Sequence, residues 1–413
     1  MTRSGYASAW SKAMKAACSI YLSFHVAACG SSFQQPAAMD SGLLRARAIT
    51  KTEDNIRVAA AVPSVAEAKS AFGIDLGKNG IQPLWLEIEN SNDRPFIFLP
   101  TGLDPEYFAP LEVAFLYGDG LSQEGRATLA NHIRDLSFDS RKLIYPGETV
   151  SGFVYLNHFD PTLVAEITLI GRKWSDRIAL LVPVPGTDER NRSVEALAQL
   201  YAEHEITEID DEAALRTALE GLPCCATVQD GSGALSPLNV VFIGEIEELG
   251  PAFTSRGYRY TPASLLYAFG RQQDLSGNKT SRWVTPQPHT LRFWLTPLRY
   301  RGTPIWIGQV STRLGGRFSG SGEQVGRIEP DVDEARNDLV QDLLYSQSVR
   351  KIGFVKGVRP VIAEKLQEAF DRRNVHTDGL RAVMVFGGKD VSLAMIDFFD
   401  WERLADHYRQ QIE

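Results

Sequence analysis

Between residues 42 and 185 the apolar positions fall into short runs, alternating or continuous, broken at close intervals by turn formers, which is the punctuation of a β-sandwich. Ile81–Ile88 reads as one strand, with Asn90-Ser91-Asn92-Asp93 as its turn, and Pro95–Leu99 and Leu111–Tyr117 read as two more. Over Gln123–Leu136 the spacing becomes helical and predicts a helix across one end of the sandwich. The clearest hairpin lies within Lys142–Gly171. There Tyr145-Pro146-Gly147-Glu148 supplies a turn, Val150–Leu156 the outgoing strand and, after Asp160-Pro161, Leu163–Ile170 the returning one.

Pro183–Arg192 is polar and rich in turn residues, and it marks the boundary of this first unit. Residues 186–235 read as a helical linker. Ser193–Ala202 and Asp210–Glu220 have amphipathic spacing, the second with Asp210 or Asp211 as N-cap, and the linker ends in the turn carrying Cys224 and Cys225. A second unit, residues 236–400, opens with Pro237–Gly244, a strand apolar enough to be buried on both faces. A helical stretch from Ile246 is interrupted at Gly250-Pro251, and a firmer helix over Pro262–Phe269 stops at Gly270. His289–Tyr300 and Thr303–Thr312 form a long hairpin about Arg301-Gly302, with Trp294 and Trp306 on its apolar side. Glu329–Ser348 has the best helical signature of the chain, capped by Asp331. Lys351–Val358 and Arg381–Phe386 are closing strands around a helix at Ala363–Asp371, and residues 401–413 form a terminal helix. The class is mixed, α+β: an immunoglobulin-like sandwich followed by a two-layer α+β domain. Sandwiches of this kind, common in envelope proteins, host adhesion, scaffolding and presenting roles alike, so fold alone assigns no function.

Composition narrows the roles. The 413 residues suffice for two cores, and 44% apolar with 23% charged residues describes neither a disordered chain nor a multi-span membrane protein. A formal charge of −8 argues against nucleic acid as a partner, because neutralising phosphates requires a basic face.

The N-terminus changes the picture most. Arg3, Lys12 and Lys15 precede a mostly apolar segment from Ala16 that closes with Val26-Ala27-Ala28-Cys29, the layout of a signal peptide over residues 1–28. The cysteine after two alanines resembles the lipobox of bacterial lipoproteins. That resemblance implies an exported chain carrying its lipid on Cys29, with residues 29–41 as a polar tether. The absence of Asp at Gly30 implies an outer-membrane address facing the periplasm. No later apolar run reaches about 18 residues, so no spanning helix follows. Cys224 and Cys225 are adjacent. An oxidising compartment permits a vicinal disulfide between them, but that bond closes a strained ring, and half-buried structural thiols in a tight turn after Pro223 are the favoured reading.

Several blocks of the second unit, taken together, resemble the LssY C-terminal domain family over about Leu222 to Val358. They are Pro237–Gly244, Ala268–Asp274, His289–Trp294, Pro304–Gln309 and Glu329–Arg336. The family is often appended to DedA-type or phosphatidic-acid-phosphatase-type membrane proteins, which implies an inner-membrane or lipid-handling partner. It brings no reaction with it, and no cofactor is implied. The candidate catalytic residues are His289, Asp274, Arg292 and Asp331, and the candidate metal ligands His289, Asp331 and Asp333. An imidazole and carboxylates meeting at a strand mouth suit acid/base work or a divalent ion. Against this, strand alternation sends His289 and Arg292 to opposite faces, and no paired-histidine or HExxH spacing accompanies them. The expectation is therefore an envelope lipoprotein with a binding or scaffolding role. The rival is a metal-assisted hydrolase of a lipid or phosphate substrate, which requires those side chains to converge in an open cleft.

Overall fold

The computed structural model describes residues 31–39, 41–158, 162–186, 197, 199–229, 234–260, 266–279, 289–314, 327–328, 332–358, 377–387 and 390–402. In the first unit, strands β1 (Ile49–Glu53), β2 (Ile56–Ala61), β3 (Ile81–Asn90) and β5 (Thr149–Asn157) form an antiparallel sheet in that order. A second sheet has the order β4 (Phe96–Leu99), β6 (Thr162–Gly171), β7 (Trp174–Pro183). Alternation along each strand decides which gap a side chain fills. Val58, Leu84, Leu86 and Leu156 point between the sheets and meet Leu163, Ala165, Ile167 and Leu180. Each such buried aliphatic side chain is worth about 1.5–3 kcal/mol relative to exposure. Ala59, Ala61, Trp85, Phe153 and Tyr155 point the other way.

That outer face is covered by helices α1 (Ser41–Arg47), α2 (Val65–Phe72), α4 (Pro110–Leu116) and α5 (Gln123–Leu136), while the short α3 (Pro100–Leu103) follows β4. Local chemistry sets their ends. The Ser64 hydroxyl accepts from the Glu67 amide and the Glu67 carboxylate accepts from the Ser64 amide, so α2 starts with a reciprocal cap. It stops at Gly73, whose φ of 68° suits glycine. Ser122 caps α5 by accepting from the Gly125 amide at 3.0 Å. The helix expected at the end of the sandwich thus lies on its outer face, with Leu129 and Ile133 turned inward.

Two expectations for this unit are corrected. Leu111–Tyr117 belongs to helix α4 and not to a strand: Pro110 presets the first turn and the Glu112 carboxylate accepts from the Ala109 amide. The hairpin within Lys142–Gly171 does not form. β5 pairs with β3 and β6 pairs with β4 and β7, so the two strands sit in different sheets and face each other across the core.

The second unit is built on a sheet with the order β12 (Tyr258–Tyr260), β15 (Leu275–Lys279), β16 (His289–Tyr300), β17 (Thr303–Leu314), β11 (Val240–Ile243), β20 (Leu380–Phe386), β19 (Val349–Lys356), β21 (Asp397–Phe398). β8 (Thr207–Ile209) lies beside β16 and β18 (Arg327–Ile328) beside β17. β11 is central, antiparallel to β17 and parallel to β20, and all four of its residues are buried, as its unbroken apolar run predicts. One face carries α7 (Ile246–Ser255) and α8 (Val332–Leu344), which pack Leu249, Phe253, Leu339 and Leu343 on Phe242, Trp306 and Met384. The other carries α6 (Glu212–Glu220), capped by Asp211, and a small sheet of β10 (Ala234–Pro237), β9 (Cys225–Thr227), β13 (Tyr267–Ala268) and β14 (Arg271–Gln272). The α+β class stands, with a layer on each side of the large sheet.

The Arg301-Gly302 turn closes the long hairpin with both residues at positive φ, 51° and 78°. Its two tryptophans, expected on one side, separate: Trp306 faces α7 and α8, and Trp294 faces α6. The helix expected over Pro262–Phe269 gives way, in its described part, to strand β13. Phe269 and Gly270, at φ 54° and 71°, make the tight turn into β14, so the glycine ends a strand rather than a helix. α7 runs on through Gly250-Pro251 without interruption. The segments 359–376 and 403–413, where two helices were expected, lie outside the described residues, as does most of the 183–202 boundary.

The two units pack closely. Val164, on the outward face of β6, lies against Gly250 of α7, where a Cβ would come within 2.7 Å of both Val164 methyl carbons. Gly250→Val should therefore destabilise the whole protein by about 1–3 kcal/mol through overpacking, read as a lowered midpoint in urea. An unchanged midpoint would remove this contact from the account. Among the described residues no helix is long and apolar enough to cross a membrane.

Candidate functional site

Three of the side chains on which a reaction would depend, Asp274, His289 and Arg292, lie apart. Asp274 is fully buried and bonded to Arg271 at 2.7 Å and to the Leu295 amide at 2.8 Å. That places it six residues along β16 from His289, about 20 Å at the strand rise. Arg292 is buried on the α6 side and donates to Gln309 at 2.7 Å, whereas His289 is buried on the α8 side. Alternation predicts this separation, and the flanking residues follow it: Leu291 and Phe293 belong to one core and Trp294 to the other. Asp331 lies outside the described residues, and so does Cys29.

What the fold does gather around His289 is a polar network at the sheet edge. Its Nδ1 is 3.4 Å from the Tyr258 hydroxyl at the start of β12, and that hydroxyl is 3.4 Å from Asp342 on α8. Lys279, ending β15, is bonded to the same Asp342 carboxylate, and Arg256 reaches it at 3.4 Å. Asp338, one turn earlier on α8, comes within 3.9 Å of His289 Nε2. Burial, with the Lys279 charge adding to it, holds the imidazole below its ordinary range, while the two aspartates oppose the shift. Burial likewise pushes the Tyr258 phenol far above its usual value. At neutral pH this is a neutral histidine and a neutral tyrosine joining helix to sheet. Of these partners only Asp338 and Asp342, four apart on one helix face, carried a spacing signal in the sequence; Tyr258, Lys279 and Arg256 arrive from separate elements.

Because the folded His289 takes up a proton less readily than the free side chain, at 6.5, the unfolded chain protonates first. The fold should keep its full stability above pH 6.5 and lose it as pH falls through that value, by at most about 1.4 kcal/mol per pH unit. In urea titrations between pH 7.5 and 5.5, His289→Gln should flatten that slope. An unaltered slope would discard the assignment.

Asp333 belongs to a different cluster. Its carboxylate accepts from the Thr377 hydroxyl and the Asp378 amide and lies 3.2 Å from Arg336, which binds Asp378 in two-pronged fashion at 2.8 Å and 2.8 Å. Burial pushes the Asp333 carboxyl above its ordinary range. Among the described residues no three His, Cys, Asp or Glu side chains are grouped to hold a metal.

Nearby, Arg381 is fully buried and gives its donors to backbone carbonyls: Leu238 at 2.8 Å, Leu219 at 2.7 Å, Leu222 at 3.1 Å, Gly357 at 3.0 Å, and Pro223. Burial draws its pKa down to about 10, which still leaves it cationic. Leu222 and Pro223 lead into Cys224 and Cys225, which are joined as a vicinal disulfide at the start of β9 and so are not the free structural thiols expected. Neither of two cavities is lined by a candidate residue. One of about 170 Å³ lies at the β16 irregularity beside Tyr201, Leu298 and Trp306. The other, of about 530 Å³, lies beside α4 in the first unit.

Comparison with known proteins bears on the second unit alone. No curated protein is matched by the chain. A family model described as the LssY C-terminus matches residues 245–380. The match takes in the blocks Ala268–Asp274, His289–Trp294, Pro304–Gln309 and Glu329–Arg336 and starts just after Pro237–Gly244. The segment running from the start of α7 to the first residue of β20, with the His289 network and the Arg336 cluster inside it, belongs to the LssY C-terminus family.

Proposed function

We propose that the protein is an envelope lipoprotein whose two packed units form a binding or scaffolding body. An acyl chain on Cys29 holds it at the outer membrane facing the periplasm, and the LssY C-terminal unit engages an inner-membrane or lipid-handling partner. One observation carries the non-catalytic reading: the Asp274 carboxylate, His289 and Arg292 are each buried and each already bonded to a protein group, at separate places. A hydrolase would need them together at an open surface. The partner follows from the membrane proteins to which domains of this family are appended.

The test uses the full chain. Labelled fatty acid should appear on the protein. Cys29→Ser should abolish the label and move the protein from the membrane to the soluble fraction. An unlabelled protein that sediments with membranes regardless of Cys29 would end this reading of its address. Stoichiometric zinc or manganese in the purified protein would replace the scaffold with the metal-assisted hydrolase.

A further inference from the structure

The stretch read as a polar tether is fixed to the first unit almost from where it would leave the lipid. The Ser31 amide donates to the Gly120 carbonyl at 2.9 Å, its hydroxyl to the same oxygen at 3.2 Å, and the Ser122 amide returns a bond to the Ser31 carbonyl at 3.0 Å. Phe33 then packs 5.7 Å from the His132 ring, and Pro36 lies against Gly73. One residue, Gly30, separates Cys29 from Ser31, so an acyl chain on Cys29 would enter the bilayer within about 7 Å of the Gly118–Leu121 turn.

That turn ends α4, and α4 is apolar on both sides. Val113 and Ala114 face the core, while Leu111, Phe115 and Leu116 face outward at 57%, 81% and 40% exposure. Leu111 and Phe115, four apart, share one face, and the Gly118 amide bonds back to the Phe115 carbonyl. The open groove beside Leu111 carries Arg134, Arg141 and Lys142 together with Asp135 and Asp139, and Arg141 and Lys142 pair with Asp139 at 3.0 and 3.6 Å, so the rim has one basic charge in excess to offer phosphate headgroups.

We infer that the α4 face is a membrane-contact surface. Leu111, Phe115 and Leu116 sit in the bilayer interface beside the acyl chain, and together they orient the molecule. This rests on the lipid anchor proposed above. The layer order then sets what points away. The helical layer lies on the four-stranded sheet, that sheet on the three-stranded one, and the outward face of β6 and β7 on α7 of the second unit. With layers about 10 Å apart, α7 of the LssY C-terminal unit lies beyond the three-stranded sheet from α4, while strand β12 of that unit reaches Asp104 at the edge of the four-stranded sheet.

The experiment places a photoreactive phenylalanine analogue at position 115, or at 395 on the second unit, in the full chain. Each protein is illuminated in vesicles of phosphatidylethanolamine and phosphatidylglycerol bearing a clickable acyl tail, with Cys29 acylation read by mass spectrometry. Both positions are exposed, at 81% and 69%, so folding is not at stake. Lipid adducts at 115 should exceed those at 395 by about tenfold. Equal adducts, or an excess at 395, on an acylated protein overturn the surface and leave the anchor standing. Adducts at 115 without acylation support the surface and refute the anchor. Adducts at neither site without acylation overturn both.

Discussion

Exchange of Arg381 for methionine is expected to cost about 3–5 kcal/mol of folding stability, among the largest losses available from a single side chain of this protein. The guanidinium reaches carbonyls of five residues from four parts of the chain: the end of α6, the turn before Cys224, the approach to β11, and the exit of β19. An unpaired buried carbonyl costs about 1–3 kcal/mol, and only part of that is recovered if water enters the space. Methionine fills the volume and removes every donor. Lysine keeps the charge but concentrates three donors on one nitrogen, so Arg381→Lys should restore only about half of the loss. Urea midpoints measure both. A methionine variant within about 1 kcal/mol of the parent would show that these carbonyls find other partners.

Asp104→Asn should rank beside it and should also split the molecule's cooperativity. Asp104 is completely buried where the two units meet. One oxygen accepts from Arg259 at 2.5 Å, and the other takes the Asn157 amide and side chain at 2.9 Å and 2.7 Å. Asparagine preserves the shape while removing the carboxylate charge nearest the buried Arg259 cation, with Glu106 at 4.0 Å left as a weaker counter-charge, a loss of about 3 kcal/mol. Because Arg259 is the middle residue of the edge strand of the second unit and Asp104 follows α3 of the first, the single unfolding transition should separate into two in calorimetry. Adding Arg259→Met should recover part of the loss, since the buried charge is then gone. A single transition at the parent's midpoint for Asp104→Asn would show that the ion pair does not hold the units together.

What the sequence made legible was local. The periodicity of Gln123–Leu136 named a helix to the residue, and the unbroken apolar run at 240–243 named a strand buried on both faces. Alternation from His289 to Trp294 sends the imidazole and the guanidinium to opposite faces of β16, where the two cores receive them. Pairing was not legible, because alternation tells which way a side chain points and not which strand lies alongside. β5 and β6 each met their pattern and still joined different sheets. At Leu111–Tyr117 the apolar run hid Pro110 and Glu112, whose capping decides for helix. The His289 network escaped notice for a third reason: its members lie between Arg256 and Asp342 and are assembled by tertiary packing alone.

The parallel register of β11 with β20 sets the timetable of folding. Val240 lies beside Ala382 and Ile243 beside Val385, so the central strand waits for a neighbour made some 140 residues later. On a ribosome emitting residues from the N-terminus, the first unit can complete itself while β11 still presents a bare hydrophobic edge. Chains released before β20 would carry that edge into solution. Aggregation in truncation products should therefore rise sharply for endpoints short of Leu380 and fall once Phe386 is included.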